Sequence, residues 1–322
     1  MNTFVASPHF DTQRLKGSTL ILPSVSIGNV PQLATDLLLS TLQLDRVGAI
    51  EDENVIPVLG PADCPHDATV PVATAAAPGG LSLAVEVFQS KDGKWTLIQQ
   101  RSPTVRHRSH HYADNLIKFI QDAEFQQVVL LASADGARRI DVQLRSGTPV
   151  RYIPSPAVPK ELTDNIKRLG LEILENVPTT EDERREAIRR RNEEHALAGT
   201  QQHQDAASTS SLAERVQDIQ LEGQQSEQQL LLEKVPRIPN GGIARRLHSI
   251  CQEKGIAILT VVLFAMEGDN APDAILLANV LNAIFKIHVP TQEQIMDGSG
   301  DWKFPKSWDS LYGNTFHQDM YQ

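Results

Sequence analysis

Cysteine is nearly missing from this chain: there are two in 322 residues, Cys64 and Cys251, and neither belongs to a CxxC pair. That argues against a disulfide framework and a zinc ribbon and fits a reducing compartment. Basic residues are also short, 30 Lys and Arg against 40 Asp and Glu, giving a formal charge of −10. A general nucleic-acid backbone binder or a polybasic membrane protein is not expected from this balance. No apolar run reaches membrane length. The most apolar, Ile256 to Met266, is eleven residues with Thr260 inside, about half of what a bilayer-spanning helix needs. Met1 to Pro8 has neither the basic start nor the apolar stretch of a secretory signal, and no Asn-x-Ser/Thr sequon occurs, so a cytoplasmic and nuclear location is expected. The GxGxxG, P-loop, GxSxG and HExxH fingerprints are absent as well, which removes the common nucleotide, hydrolase and zinc-protease signatures.

What the sequence does contain is alternation of strand and helix. Thr19 to Val25 is apolar on both faces, as a strand covered by helices must be. Asn29 can cap a following helix, with Gln32 in capping-box position and Leu33, Leu37, Leu38 and Leu42 on one side. Val47 to Ile50 and Val55 to Leu59 read as short strands, and Pro61 to Gly80, rich in Pro, Ala, Asp and Gly, reads as a surface loop. Leu83 to Phe88 and Trp95 to Ile98 flank Asp92-Gly93, a hairpin signal. Tyr112, Leu116, Phe119 and Ile120 mark a helical face before the apolar strand at Val128 to Ser133. Ile243, Leu247, Ile250 and Cys251 mark another before the strand at Ile256. The alternation predicts an α/β layered sheet.

Length alone suggests two domains. Yet eleven of the fourteen residues from Glu181 to Glu194 are charged, and nine Gln lie between Gln201 and Gln229. Such a stretch cannot bury enough apolar surface to offset chain ordering. Residues 176–234 are therefore expected to be a disordered insertion within one α/β domain, residues 1–175 and 235–313, followed by a flexible tail, 314–322.

Four sets of residues could carry chemistry. His107, His110 and His111 offer imidazoles, but adjacent ring positions diverge by about 100° on a helix and Arg106 and Arg108 repel a cation, so a solvated helix start is the better reading. Glu267, Asp269 and Asp273 follow a buried strand and could supply an acid and a base for a phosphorylase-like or hydrolytic reaction. Against that, Asn270 or Asp269 can cap the next helix, with Pro272 in its first turn and Asp273 at its positive end. Ser24 to Asn29 and Ser133 to Gly136 end strands and could cradle phosphate on backbone N–H groups. The cysteines are unconvincing nucleophiles, Cys251 on an apolar face and Cys64 without a local base.

The C-terminal region concentrates aromatics in a chain only 5% aromatic: Trp302, Phe304, Trp308 and Tyr312, then Met320-Tyr321-Gln322. Docking of Trp302 to Tyr312 on the domain is expected. A hydrophobic residue and a phenol ahead of a free carboxylate can also enter a protein pocket.

Gly17 to Val30 with Gln32-Leu33-Ala34 and Asp36-Leu37, Leu144-Arg145-Ser146 with Arg151-Tyr152, Pro239 to Ile243, Glu267 to Ala274 and Trp302 to Trp308 form five ordered blocks. They resemble the proteasome assembly chaperone 2 family over residues 15–175 and 235–313. The resemblance implies a three-layer α/β/α sandwich related to the nucleoside-phosphorylase-like fold, with no catalysis and no cofactor. It implies a heterodimer with a related protein, proteasome assembly chaperone 1. That pair would promote formation of the α ring of the proteasome core particle and prevent off-pathway association of α rings. It also implies that Met320, Tyr321 and Gln322 match a hydrophobic-Tyr-any tail that inserts between α subunits. The 176–234 insertion departs from the short members, and no function is transferred to it.

Overall fold

Strands that are apolar on both faces need cover on both faces, and this requirement organises the molecule. The computed structural model describes residues 3–62, 81–145, 147–176, 234–290 and 302–310. The chain divides into two compact units, Met1–Leu174 with Ile238–Gln322, and Glu175–Arg237. In the second only residues 175–176 and 234–237 are described.

The first unit is built on a nine-stranded sheet. In chain order its elements are β1 (Thr3–Ala6), β2 (Thr19–Pro23), α1 (Val30–Leu42) and β3 (Asp45–Glu51), then β4 (Leu59–Pro61), β5 (Leu81–Leu83), β6 (Val85–Gln89), β7 (Trp95–Gln100) and α2 (Ser109–Asp122). There follow β8 (Gln127–Asp135), α3 (Asp141–Arg145), β9 (Val150–Pro154), α4 (Lys160–Arg168), β10 (Glu172–Ile173), α5 (Ala244–Glu253), β11 (Ile258–Ala265) and α6 (Ala271–Phe285). The sheet order is β1-β3-β6-β7-β2-β8-β11-β9-β10, and β4 pairs with β5 in a separate two-stranded ribbon. The centre, β7-β2-β8-β11, is parallel, with Leu20 opposite Thr96 and Val128, and Val128 opposite Ile258.

Period-two alternation sorts these strands between two helical layers. Leu259, Val261 and Leu263 of β11 pack with Leu33, Leu37 and Leu277 on the side of α1, α4 and α6. Thr260 points the other way and meets His248 of α5 at 2.8 Å. The result is the expected α/β/α layering. The predicted hairpin forms between β6 and β7, with Gly93 at φ 73 and Asp92 accepting from the Lys94 N–H at 3.1 Å. Trp302 docks beside α6, its Nε1 donating to Asn279 Oδ1 at 2.7 Å, and the Lys303 N–H donates to Thr41 Oγ1 at 3.0 Å.

Three local expectations need correction. Asn29 precedes α1 in the left-handed region (φ 52, ψ 22), which aims its side chain away from the helix start, and it makes no cap bond. Gln32 forms no capping box; its carbonyl accepts from Gln99 Nε2 at 3.0 Å. Val55 to Leu59 is not a strand, because Pro57 interrupts the ladder: Val55 makes an isolated bridge to Thr104, and pairing resumes only at Leu59. Residues 63–80, with Cys64, lie outside the described residues.

Candidate functional site at the carboxyl edge of the parallel strands

Parallel strands deliver their following loops to one edge of the sheet, where sites in α/β proteins gather. Here four loops meet there: those after β2, β8 and β11, and the segment entering α5. Ser24 Oγ donates to the Gly241 carbonyl at 2.8 Å, the Ile27 N–H to the Asn240 carbonyl at 3.1 Å, and the Asp135 N–H to the Pro239 carbonyl at 2.9 Å. Ser26 Oγ accepts from the Ser133 N–H at 3.0 Å and lies 2.8 Å from Ser133 Oγ, which donates to the Ile27 carbonyl. Ser26 Oγ also lies 3.0 Å from the Ser24 carbonyl, so two hydroxyl protons serve three contacts and the pair holds the β2 and β8 loops together.

Glycine is required where these loops cross. Gly242 (φ 61) sits so close to the Val25 carbonyl and Ser24 Oγ that a Cβ has no room. Ser24 to Asn29 and Ser133 to Gly136, read above as candidate phosphate cradles, give several of their backbone donors to each other and to the α5 approach: the Ile27 and Asp135 N–H groups go to the Asn240 and Pro239 carbonyls, and the Ser133 N–H goes to Ser26 Oγ. The Asn29 N–H goes to the Ser26 carbonyl at 3.0 Å and the Ala137 N–H to Asp135 Oδ1 at 3.0 Å. The loops thus form an interlocked junction.

The carboxylates of the rival enzymatic reading lie at the same edge. Asp269 Oδ1 accepts the Ala271 N–H at 3.1 Å, and Asp273 Oδ2 accepts from Asn270 Nδ2 at 2.9 Å. Both are thus engaged in starting α6, while Glu267 is exposed. Asn270 holds the cap position in a bridge-region conformation (φ −100, ψ 12), so its amide turns back to the Met266 carbonyl at 2.8 Å and Asp269 does the capping instead. Among the described residues, no group of three or more His, Cys, Asp or Glu could hold a metal ion. His110 and His111 stack at 4.0 Å at the start of α2, where burial first, and then the neighbouring His111 and Arg246, lower the His110 pKa. Cys251 is buried, as expected of a core thiol. Met320, Tyr321 and Gln322 lie outside the described residues.

Sequence reasoning missed the apolar side chains left outside this junction. Val142 and Leu144 on α3, and Met266 just past β11, are each more than half exposed. A few residues ahead of α3 in the chain, Arg138 pairs with Asp135 at 3.8 Å, and the Arg139 guanidinium lies 5.8 Å from the ring centre of Phe264, two residues before Met266. Exposed apolar side chains in segments that also carry arginines suit a protein contact better than a small-molecule pocket. The signal was present in Val142 and Leu144, two apolar residues a helix cannot bury on one face.

Comparison with known proteins follows the same direction. The chain is 32% identical over 300 residues to the zebrafish (Danio rerio) protein named proteasome assembly chaperone 2, covering 93% of each chain. It is 28% identical over 303 residues to the human (Homo sapiens) protein of that name, again covering 93% of each. Among solved structures, an archaeal homologue of proteasome-assembly chaperone, PbaA of Pyrococcus furiosus, shares the fold with a TM-score of 0.52 at 12% identity, covering 93% of this chain and 92% of that one. The PAC2 family model matches residues 20–300, which takes in the whole interlocked junction and both helical layers, and the chain belongs to the PAC2 family.

Proposed function

We propose that this protein is a proteasome assembly chaperone subunit, acting in the cytoplasm and nucleus. It pairs with a related assembly chaperone, and the pair promotes α-ring formation and discourages off-pathway association of α rings. The observation that carries the reading is the likeness, along nearly the whole chain, to curated proteins named as assembly chaperones. The carboxyl edge supports it: the loops are locked together by their own hydrogen bonds, and apolar side chains are left facing outward. The structured domain would hold the second chaperone while Met320, Tyr321 and Gln322 contact the α ring.

Affinity purification of the tagged protein followed by mass spectrometry tests this. The expected set is a related chaperone with proteasome α subunits and without mature β subunits. Recovery of complete proteasomes only, or of no proteasome subunits, overturns the reading.

A further inference from the structure

On the α1 side of the sheet, α1 packs on Leu97 of β7 and is bonded to that strand by the Gln32 carbonyl and the Asp36 carboxylate, which take Gln99 Nε2 at 3.0 and 2.6 Å; Asp36 also lies 3.2 Å from the Arg101 guanidinium. Beyond that point Val5 and Glu51 are exposed and Ala49 is half-buried. Register places Val5, Ala49 and Glu86 in one row across β1, β3 and β6. The β4–β5 ribbon is tethered here by Arg46, which donates to the Leu81 carbonyl at 2.7 Å and to Glu86 at 2.8 Å. Between the ribbon and β3 runs a groove of about 490 Å³ with Ala49, Val55, Val58 and Leu83 in its walls.

Two properties of this groove point to a protein occupant. The first is apolar exposure in and around it: Val58 is in the wall, Ile56 and Leu59 flank the wall residues Pro57 and Val58 in the chain, Leu81 stands on β5, and Val5 pairs with the wall residue Ala49. Leu59 is 66% exposed, and these are five of the twelve large exposed apolar side chains among the described residues. A concentration of this kind marks an interaction surface, whereas scattered single residues do not. The second is charge. Glu51, Asp52 and Glu53 line the groove. The arginines on this part of the sheet are already used, Arg46 by Glu86 and Arg101 by Asp36 and Glu86 at 3.2 and 3.7 Å. Arg108, 3.4 Å from Glu53, offsets one carboxylate of the three. The groove is therefore apolar inside and negative at its rim, and its complement is an apolar segment with a cationic side chain.

We propose that the second chaperone subunit docks in this groove, through a segment presenting apolar side chains beside Lys or Arg. The inference rests on the pairing proposed above.

Hydrogen exchange of the full chain, alone and mixed with the purified related chaperone, locates the contact. Slowed exchange across residues 46–59 and 81–86 on mixing is expected. Leu59→Asp, at a site too exposed to endanger folding, should weaken pairing by about tenfold or more. Glu51→Lys should weaken it by about fivefold at low salt and much less at 1 M. Intact pairing with protection elsewhere overturns the inference and leaves the pairing standing. Groove amides already protected in the chain alone, or protected only as its own concentration rises, assign the groove to the chain itself or to a second copy and overturn it equally. Absence of any pairing overturns the proposed function and this inference with it.

Discussion

A Cβ placed on Gly28 would stand 2.7 Å from the Oδ1 of Asn270, although 242 positions separate the two residues in the 322-residue chain. The Asn270 side chain cannot easily give way, because its amide is held by the Met266 carbonyl and by Asp273. Gly28 also has φ 68, a conformation that costs an ordinary residue about 1–2 kcal/mol. Gly28→Ala should therefore destabilise the protein by more than that strain alone. Asn270→Ala should recover part of the loss when combined with it. Urea unfolding of the two single variants and the double variant measures the coupling; strictly additive losses would refute the contact.

Acid sensitivity should arise in part from His248. Buried between α5 and β11, its imidazole is lowered from 6.5 to about 4, chiefly because burial disfavours the cation. The neutral form is thus the folded form. The stability this site contributes is complete above pH 6.5, declines as pH falls from 6.5 to 4, and declines no further below. The full loss is about 3 kcal/mol. Unfolding measured at pH 7.5, 5.5 and 4.5 should show a smaller pH dependence in His248→Gln than in the parent chain. Equal slopes would count against it.

Cys251 should be inert in the native protein. Burial pushes its thiol up to about 12, so at pH 8 the thiolate is about a thousandfold rarer than for an ordinary cysteine. In a Cys64→Ser background, a thiol-specific reagent should label the chain at the rate at which it unfolds. Rapid labelling without denaturant would show the α5–β11 layer to be open.

On the function proposed above, with Tyr321 as a buried anchor, Tyr321→Ala should weaken binding of the pair to the α ring by about 2 kcal/mol or more, roughly 30-fold. Deleting Met320 to Gln322 should do at least as much. Unchanged binding in a titration of both variants removes these residues from the contact.

How far the sequence discloses this molecule depends on whether the deciding forces are local. The central strands were legible because double burial writes itself as near-continuous apolar runs, as in Ile258 to Ala265, where Thr260 alone is polar. The Asp92-Gly93 turn was legible because positive φ favours glycine. The β4–β5 ribbon was not: three-residue strands with exposed Leu59 and Leu81 leave no periodic pattern. At the carboxyl edge each loop was visible but its meaning was not. Ser24 to Asn29 looks like an anion cradle until Asn240 and Gly241, more than two hundred residues away, take its groups. Asn270 looks like a cap until its backbone angles are known. These outcomes are settled by packing between distant segments, which no local window contains.

The position of β11 also dictates when the sheet can be completed. It lies between β8 and β9, pairing with both, yet both precede it in the chain with the whole 175–237 segment in between. A ribosome-bound chain that has already released β8 and β9 therefore carries two unsatisfied strand edges and an uncovered apolar slot until residues 258–265 emerge. Non-local closure of this kind is slow and exposes intermediates to wrong pairing. The chain is thus most open to wrong pairing in the interval between release of β9 and release of β11.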